Sequence, residues 1–158
     1  MKIRTGFGYD VHQLVENREL WLGGILVPHS KGALGHSDAD VLIHVICDAL
    51  LGAANLRDIG FHFPDTDPAY KGIDSKKLLR ETMKLIREKG WELGNVDSTI
   101  VLQQPKINPH ILAMRACLAE VMGVEEDQIS IKATTNEKMG YLGREEGIAA
   151  FASILIVA

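Results

Sequence analysis

Hydrophobic residues recur along this chain at two different periods, and the switches between them mark out alternating strands and helices. Residues 2–9 read as a strand, and Leu20–Val27 as a hairpin turning at Gly23-Gly24. Lys31–Gly35 reads as a glycine-containing loop leading into a helix from Asp38 to Ala53. In that helix Leu42, Val45, Ile46, Ala49, Leu50 and Ala53 form a continuous apolar stripe. A loop follows through Asp58–Gly60 and Phe63–Asp67. Ser75 is placed as the cap of a second helix, with Leu79, Met83 and Ile86 at helical spacing and Gly90 as its stop. After a strand over Val96–Leu102, Asn108-Pro109 opens a third helix whose apolar face is Ile111, Met114, Leu118 and Val121 and whose stop is Gly123. Strands at Ile129–Thr134 and Ile148–Val157 finish the chain, separated by the polar loop Asn136–Gly147.

The last strand is apolar on both faces and is expected to be covered on both. Together these elements predict an α+β layer sandwich in a single domain over residues 1–158, with a mainly four-stranded mixed sheet and three helices on one face. An oligomer is the simplest cover for the other face.

Composition sharpens this in three respects. Apolar residues make up 46% and charged residues 24% of the 158, which suits a soluble globular chain. The net charge of −4 provides no global field for recruiting nucleic acid or an anionic membrane, and neither is expected as a partner. Cys47 and Cys117, far apart and each within an apolar helical segment, read as reduced core thiols, and no presequence-like or membrane-spanning run appears, so a cytoplasmic location is expected.

The candidate chemistry begins at Asp10 and His12. Separated by one residue, their side chains share one side of an extended backbone and can offer a carboxylate oxygen and an imidazole nitrogen to a single ion. On the first helix, Asp40, His44 and Asp48 fall opposite the apolar stripe, which frees His44 from a core-packing role. Two imidazoles and one carboxylate leave a fourth tetrahedral position open, the pattern of catalytic rather than structural zinc. Cys47 is a poor ligand candidate beside them, and Asp48 is a candidate to orient His44.

His36-Ser37-Asp38-Ala39-Asp40 reads as a helix start with Ser37 as N-cap and Asp40 closing a capping-box-like pair. The same helix terminus is expected to bind phosphate, with His36 beside it as a donor. Ala133–Lys138, at a strand end, offers two hydroxyls, a carboxylate and an ammonium that could bind phosphate and a divalent cation, but taken alone it reads as a polar turn before it reads as a site. The P-loop, Rossmann, nucleophile-elbow and C-x-x-C signatures are absent.

Gly8-Tyr9-Asp10-Val11-His12, Gly35–Asp40, Asp58-Ile59-Gly60, Phe63–Asp67, Gln104-Pro105-Lys106, Ala133–Lys138 and Gly143–Gly147 occur in an order that resembles the 2-C-methyl-D-erythritol 2,4-cyclodiphosphate synthase family of non-mevalonate isoprenoid biosynthesis. The resemblance spans essentially the whole chain. It implies a homotrimer with active sites between subunits, and a substrate, 4-diphosphocytidyl-2-C-methyl-D-erythritol 2-phosphate, cyclised with loss of CMP. Zinc would be held by Asp10, His12 and His44, and a magnesium or manganese ion by Glu137. His36 and Thr135 would orient and stabilise the reacting phosphates, with Ser37 beside them. Asp58, Ile59 and Gly60 would contact the methylerythritol, next to Phe63, Pro64, Asp65, Thr66 and Asp67.

The cytidine pocket would be formed by Leu102, Gln103, Gln104, Pro105, Lys106, Ile107 and Asn108 with Thr134, and Asn136, Tyr141 and Arg144 would complete the substrate set. Tyr9, Asn136 and Tyr141 stand where the family more often has Phe, Thr and Phe. Two other readings stay open for these residues: a metal-dependent phosphohydrolase using water, and a metal- or nucleotide-binding protein without catalysis.

Overall fold

The computed structural model describes residues 1–158. A 14-residue strand β1 (Ile3–Glu16) is followed by the hairpin β2 (Leu20–Leu22) and β3 (Ile25–Val27), a short β4 (Lys31–Ala33), and helices α1 (Val41–Ala53), α2 (Ile59–His62) and α3 (Ser75–Glu88). Then come β5 (Glu92–Val101), α4 (Ile111–Met122), β6 (Ile129–Thr134), α5 (Gly140–Gly143) and β7 (Gly147–Val157). The main sheet runs β4-β1-β7-β5-β6, antiparallel throughout except for the parallel β5–β6 pair, and β2–β3 stand apart as a two-stranded sheet. The architecture is α+β with a mixed sheet, as expected. Four strands are long; Lys31–Ala33, read as loop from sequence, adds a fifth, short edge strand.

β1 runs well past residue 9. Apolar alternation stops there, but the ladder to β7 continues to Gln13 opposite Gly147, so backbone pairing extends the strand through Asp10 and His12. β5 likewise begins at Glu92, paired with Val157. The hairpin turns where expected, with Gly23 and Gly24 at φ 60° and 76°, the left-handed pair that two-residue hairpins need. No helix of the chain is long and apolar enough to cross a membrane.

Helix α1 sits against β1 and β7 and is flanked by α3. The stripe predicted for it is only part of what it buries: Val41, Ile43, Cys47 and Leu51 are also enclosed. Its approach to the sheet depends on β1. Even-numbered residues of β1 face α1, and at Gly6 an added Cβ would lie 1.9 Å from the Ala49 carbonyl oxygen; at Gly8 it would lie 2.3 Å from that of Val45. The Gly-x-Gly run is therefore a seat for a helix, and two residues further along the same face come Asp10 and His12.

The caps differ from the sequence reading. α1 starts at Val41 and is capped by Asp40, whose carboxylate accepts from Ile43 N at 3.1 Å. The same fully buried carboxylate accepts from the amides of Gly23 and Gly24 at 2.9 and 2.7 Å, fastening the hairpin to the helix start. Ser37 is thus not the N-cap; its hydroxyl accepts from Ala39 N in the preceding turn. Asp74, accepting from Lys76 N, caps α3 in place of Ser75. Asp58-Ile59-Gly60, expected in a loop, opens the short helix α2 with Asp58 as cap, and part of the Asn136–Gly147 loop winds into α5.

The opposite face of the sheet is mostly open. Phe7, Tyr9, Val11 and Phe151 lie exposed along β1 and β7, and the ring centroids of Tyr9 and Phe151 are 5.1 Å apart. Only at one end does α5 lay Leu142 over Val101 and Ala149.

Candidate metal centre and phosphate pocket

Three elements of this geometry bring Asp10, His12 and His44 together. The pleat of β1 points Asp10 and His12 to one side, the glycine seat lets α1 approach closely, and the first turn of α1 carries His44 over them. Asp10 Oδ2 lies 3.0 Å from His12 Nε2 and 3.2 Å from His44 Nδ1, and the two nitrogens are 3.2 Å apart. Three donors bound tetrahedrally to one zinc at about 2.1 Å would be about 3.4 Å from one another.

The hydrogen bonds on the far side of each ring fix which atoms carry lone pairs. His12 Nδ1–H donates to the Leu34 carbonyl at 3.0 Å, which leaves Nε2 as the lone pair. His44 Nε2–H is met by the hydroxyl oxygens of Ser75 at 3.0 Å and Ser37 at 3.1 Å, which leaves Nδ1. Two imidazole lone pairs and a carboxylate oxygen converge within 3.2 Å, an arrangement that repels itself unless a cation or a proton sits among them. By the chemistry of the donor set the residues fit a divalent metal ion.

Protons compete for the same lone pairs. Burial favours the neutral Asp10 carboxyl, but the His12 and His44 rings set against its oxygen more than reverse this and hold it well below the usual carboxylate range. Burial disfavours the His12 imidazolium, yet the hydrogen bond and charge of Asp10 and the Leu34 carbonyl raise its proton affinity overall. In the metal-free protein, the Asp10 contribution to stability is present above the ordinary carboxylate range and is lost as pH falls through its depressed value. That of His12 is complete below about pH 6.5 and is lost as pH rises through its raised value. Metal binding has the opposite dependence to His12, because the ion needs the neutral ring. Zinc affinity, measured by chelator competition, is expected to rise with pH by up to about tenfold per unit until His12 has lost its proton. A flat profile across neutrality would rule out proton–metal competition at this ring.

Beside the triad opens a cavity of about 350 Å³. His12 and His44 form its base, His36 and Ser37 one wall, and Ile59, Gly60, Phe63 and Asp65 another. His36 Nε2 is 3.1 Å from the Asp67 carbonyl, tying the first wall to the second. Asp48, one turn after His44, accepts from Ile59 N at 2.8 Å; it places α2 and makes no hydrogen bond to His44. The anion site expected at the start of α1 is absent in that form, since the buried Asp40 carboxylate occupies the helix terminus.

Leu102, Gln103, Pro105, Lys106, Ile107 and Asn108 line a second cavity, of about 230 Å³, closed by Ala133, Thr134 and Thr135. Gln103 accepts from Lys138 N, and Thr135 Oγ1 accepts from Glu137 N, which folds the Asn136–Lys138 turn next to it. The two cavities share no residue. The sheet sets their separation: Val11, next to His12, pairs with Ala149, Ala149 with Val101 and Val101 with Thr134. Three strand spacings, about 14 Å, lie between the two ends. Gln104, Asn136, Glu137 and Arg144 line neither cavity. Tyr141 meets Tyr9 hydroxyl to hydroxyl at 3.4 Å, and Arg144 pairs with Glu146 at 2.9 Å.

Sequence reasoning missed Tyr70, Ile73 and Leu78, which also line the first cavity, and the Asp38–Ser75 contact beneath His44. An acidic residue before one helix and a buried serine at the start of another have no shared sequence signal.

Fold and site together define a small α+β protein with a three-residue group fit to hold a divalent metal beside an open pocket. The model of the YgbB family matches residues 3–157, and the chain belongs to that family. It is 69% identical over 156 residues to the 2-C-methyl-D-erythritol 2,4-cyclodiphosphate synthase of Parabacteroides distasonis, covering 99% of this chain and 97% of that one. Among solved structures, a 2C-methyl-D-erythritol-2,4-cyclodiphosphate synthase in a CDP-bound form is 39% identical with a TM-score of 0.90, over 98% of this chain and all of that one. The bifunctional IspDF of Campylobacter jejuni is 43% identical with a TM-score of 0.95, and this chain spans 42% of its length.

Proposed function

We propose that the protein converts 4-diphosphocytidyl-2-C-methyl-D-erythritol 2-phosphate to 2-C-methyl-D-erythritol 2,4-cyclodiphosphate and CMP. The observation that carries this reading is the three-donor centre with an open position, set at the base of a pocket walled by His36 and Ser37. It is supported by the shared name of the curated relatives.

A substrate 2-phosphate oxygen attacks the β-phosphorus, a new P–O bond forms, the α–β bridging P–O bond breaks, and CMP leaves. No water enters, so the chain needs to position and shield rather than to supply a nucleophile. Zinc held by Asp10, His12 and His44 would supply charge neutralisation and polarisation at the β-phosphate. His36 and Ser37 then orient that phosphate from the pocket wall, and Asp58 with Ile59 and Gly60 hold the methylerythritol.

The cavity of residues 102–108 with Thr134 is suited to the cytidine end, Thr135 to orienting the reacting phosphates alongside His36, and Glu137 to a magnesium or manganese ion on the diphosphate. Residues 1–158 act as one catalytic domain. The exposed Phe7, Tyr9, Val11 and Phe151 support a homotrimer closing around this face, with each active site assembled from two neighbouring copies.

A coupled assay of CMP formation tests this. Activity is expected to vanish with a zinc chelator and return with added zinc, and the product mass is to equal substrate less CMP. A product heavier by one water would make the protein a hydrolase instead.

A further inference from the structure

Behind the metal centre lies a second set of contacts that the proposed reaction does not use. Ser75 is the first residue of α3, and its side chain is fully enclosed. Its hydroxyl makes two contacts: a short one to Asp38 Oδ1 and one of 3.0 Å to His44 Nε2. Asp38 holds the same residue a second time, since its Oδ2 accepts from Ser75 N at 3.0 Å. The loop carrying Asp38 is itself paired with the segment before α3, through Asp38 N to Ile73 O at 3.1 Å and Gly72 N to His36 O at 2.7 Å.

The direction of these bonds is determined. A carboxylate only accepts, so the Ser75 proton goes to Asp38. Ser75 Oγ then has only lone pairs left for His44, and Nε2 must carry the ring proton. Ser37 Oγ, the other oxygen near Nε2, already accepts from Ala39 N and lines the open pocket, so its proton is free for a bound anion. The two serines are therefore not equivalent: one faces the substrate, the other is locked to Asp38.

We propose that Asp38 and Ser75 form a carboxylate–hydroxyl relay that fixes the tautomer and orientation of His44 and thereby sets the metal affinity of the centre. The relay rests on the assignment of His44 as a metal ligand. Ser75 is a positioning residue: it reaches the ion only through the imidazole, as the outer partners of metal-bound histidines do. With the Asp38 charge pulling on the hydroxyl proton, the Ser75 oxygen becomes a stronger acceptor and the opposite nitrogen of His44 a stronger donor to metal.

The test compares zinc-loaded native chain, Ser75→Ala and Asp38→Asn, with zinc transfer to a chromophoric chelator as the readout and thermal unfolding of the metal-free proteins alongside. Ser75→Ala is expected to weaken zinc binding by about 10- to 100-fold. Asp38→Asn keeps an acceptor oxygen for the hydroxyl but loses the charge and the acceptor for Ser75 N, so it should weaken zinc binding less but in the same direction. It also carries the test should Ser75→Ala fail to fold. A purely structural role for the pair would lower the unfolding midpoint of the metal-free protein and leave zinc affinity within about twofold of native, which overturns the relay. Native protein that retains no zinc against the chelator would overturn the metal centre, and the relay with it.

Discussion

Replacing His44 by alanine is expected to reduce CMP formation by on the order of a thousandfold or more, while the secondary structure persists. The magnitude follows from the role: a metal that offsets charge at a reacting phosphate contributes several kcal/mol to transition-state stabilisation, and about 4 kcal/mol corresponds to three orders of magnitude in rate. Persistence of the fold follows from location. His44 stands at the edge of the α1 contact with the sheet, and the buried stripe from Leu42 to Ala53 is untouched by the change. Steady-state kinetics with zinc titrated into the variant would check this. Wild-type turnover at any zinc concentration would remove His44 from the centre, whereas a defect confined to KM would make it a substrate contact instead.

The second large effect concerns a residue with no side chain. Gly6→Ala is expected to destabilise the protein by more than the about 1–3 kcal/mol typical of an overpacked core, because the new methyl would meet the Ala49 carbonyl at 1.9 Å. That oxygen belongs to the helix backbone, so no rotamer change relieves the clash and α1 must move away from β1. Denaturant unfolding would measure the loss. Zinc affinity should fall in the same variant, since His44 rides on α1 while Asp10 and His12 stay on β1. Native stability would show that the helix and strand can separate without cost.

Much of this molecule was legible before its structure. The period of Leu79, Met83 and Ile86, the Gly23-Gly24 turn and the glycine stop at 123 each depend on local chemistry, and each lies where the pattern put it. The chemistry of D-x-H on a strand was legible for the same reason. What was not legible depends on distant partners. Asp40 reads from sequence as a capping-box residue opposite the apolar stripe, yet it is buried because two hairpin amides, from a segment 16 and 17 residues earlier, come to it. β1 looked short because its polar half carries no apolar signal, although its β7 partner keeps pairing. The Asp38–Ser75 contact joins residues 37 apart and has no periodicity at all.

The two glycines of β1 also bear on how the strand finds its place. Its odd positions are Phe7, Tyr9 and Val11, its even ones Gly6, Gly8 and Asp10, so greasiness alone would favour turning the aromatic side inward. A slip of one residue against β7 would do that, and would exchange Asp10 and His12 for an aromatic ladder. The close seat of α1 forbids it, because no ring fits where a methyl group does not. Register fidelity in this protein thus comes from space withheld rather than from a contact made, and the convergence of Asp10, His12 and His44 is inherited from it.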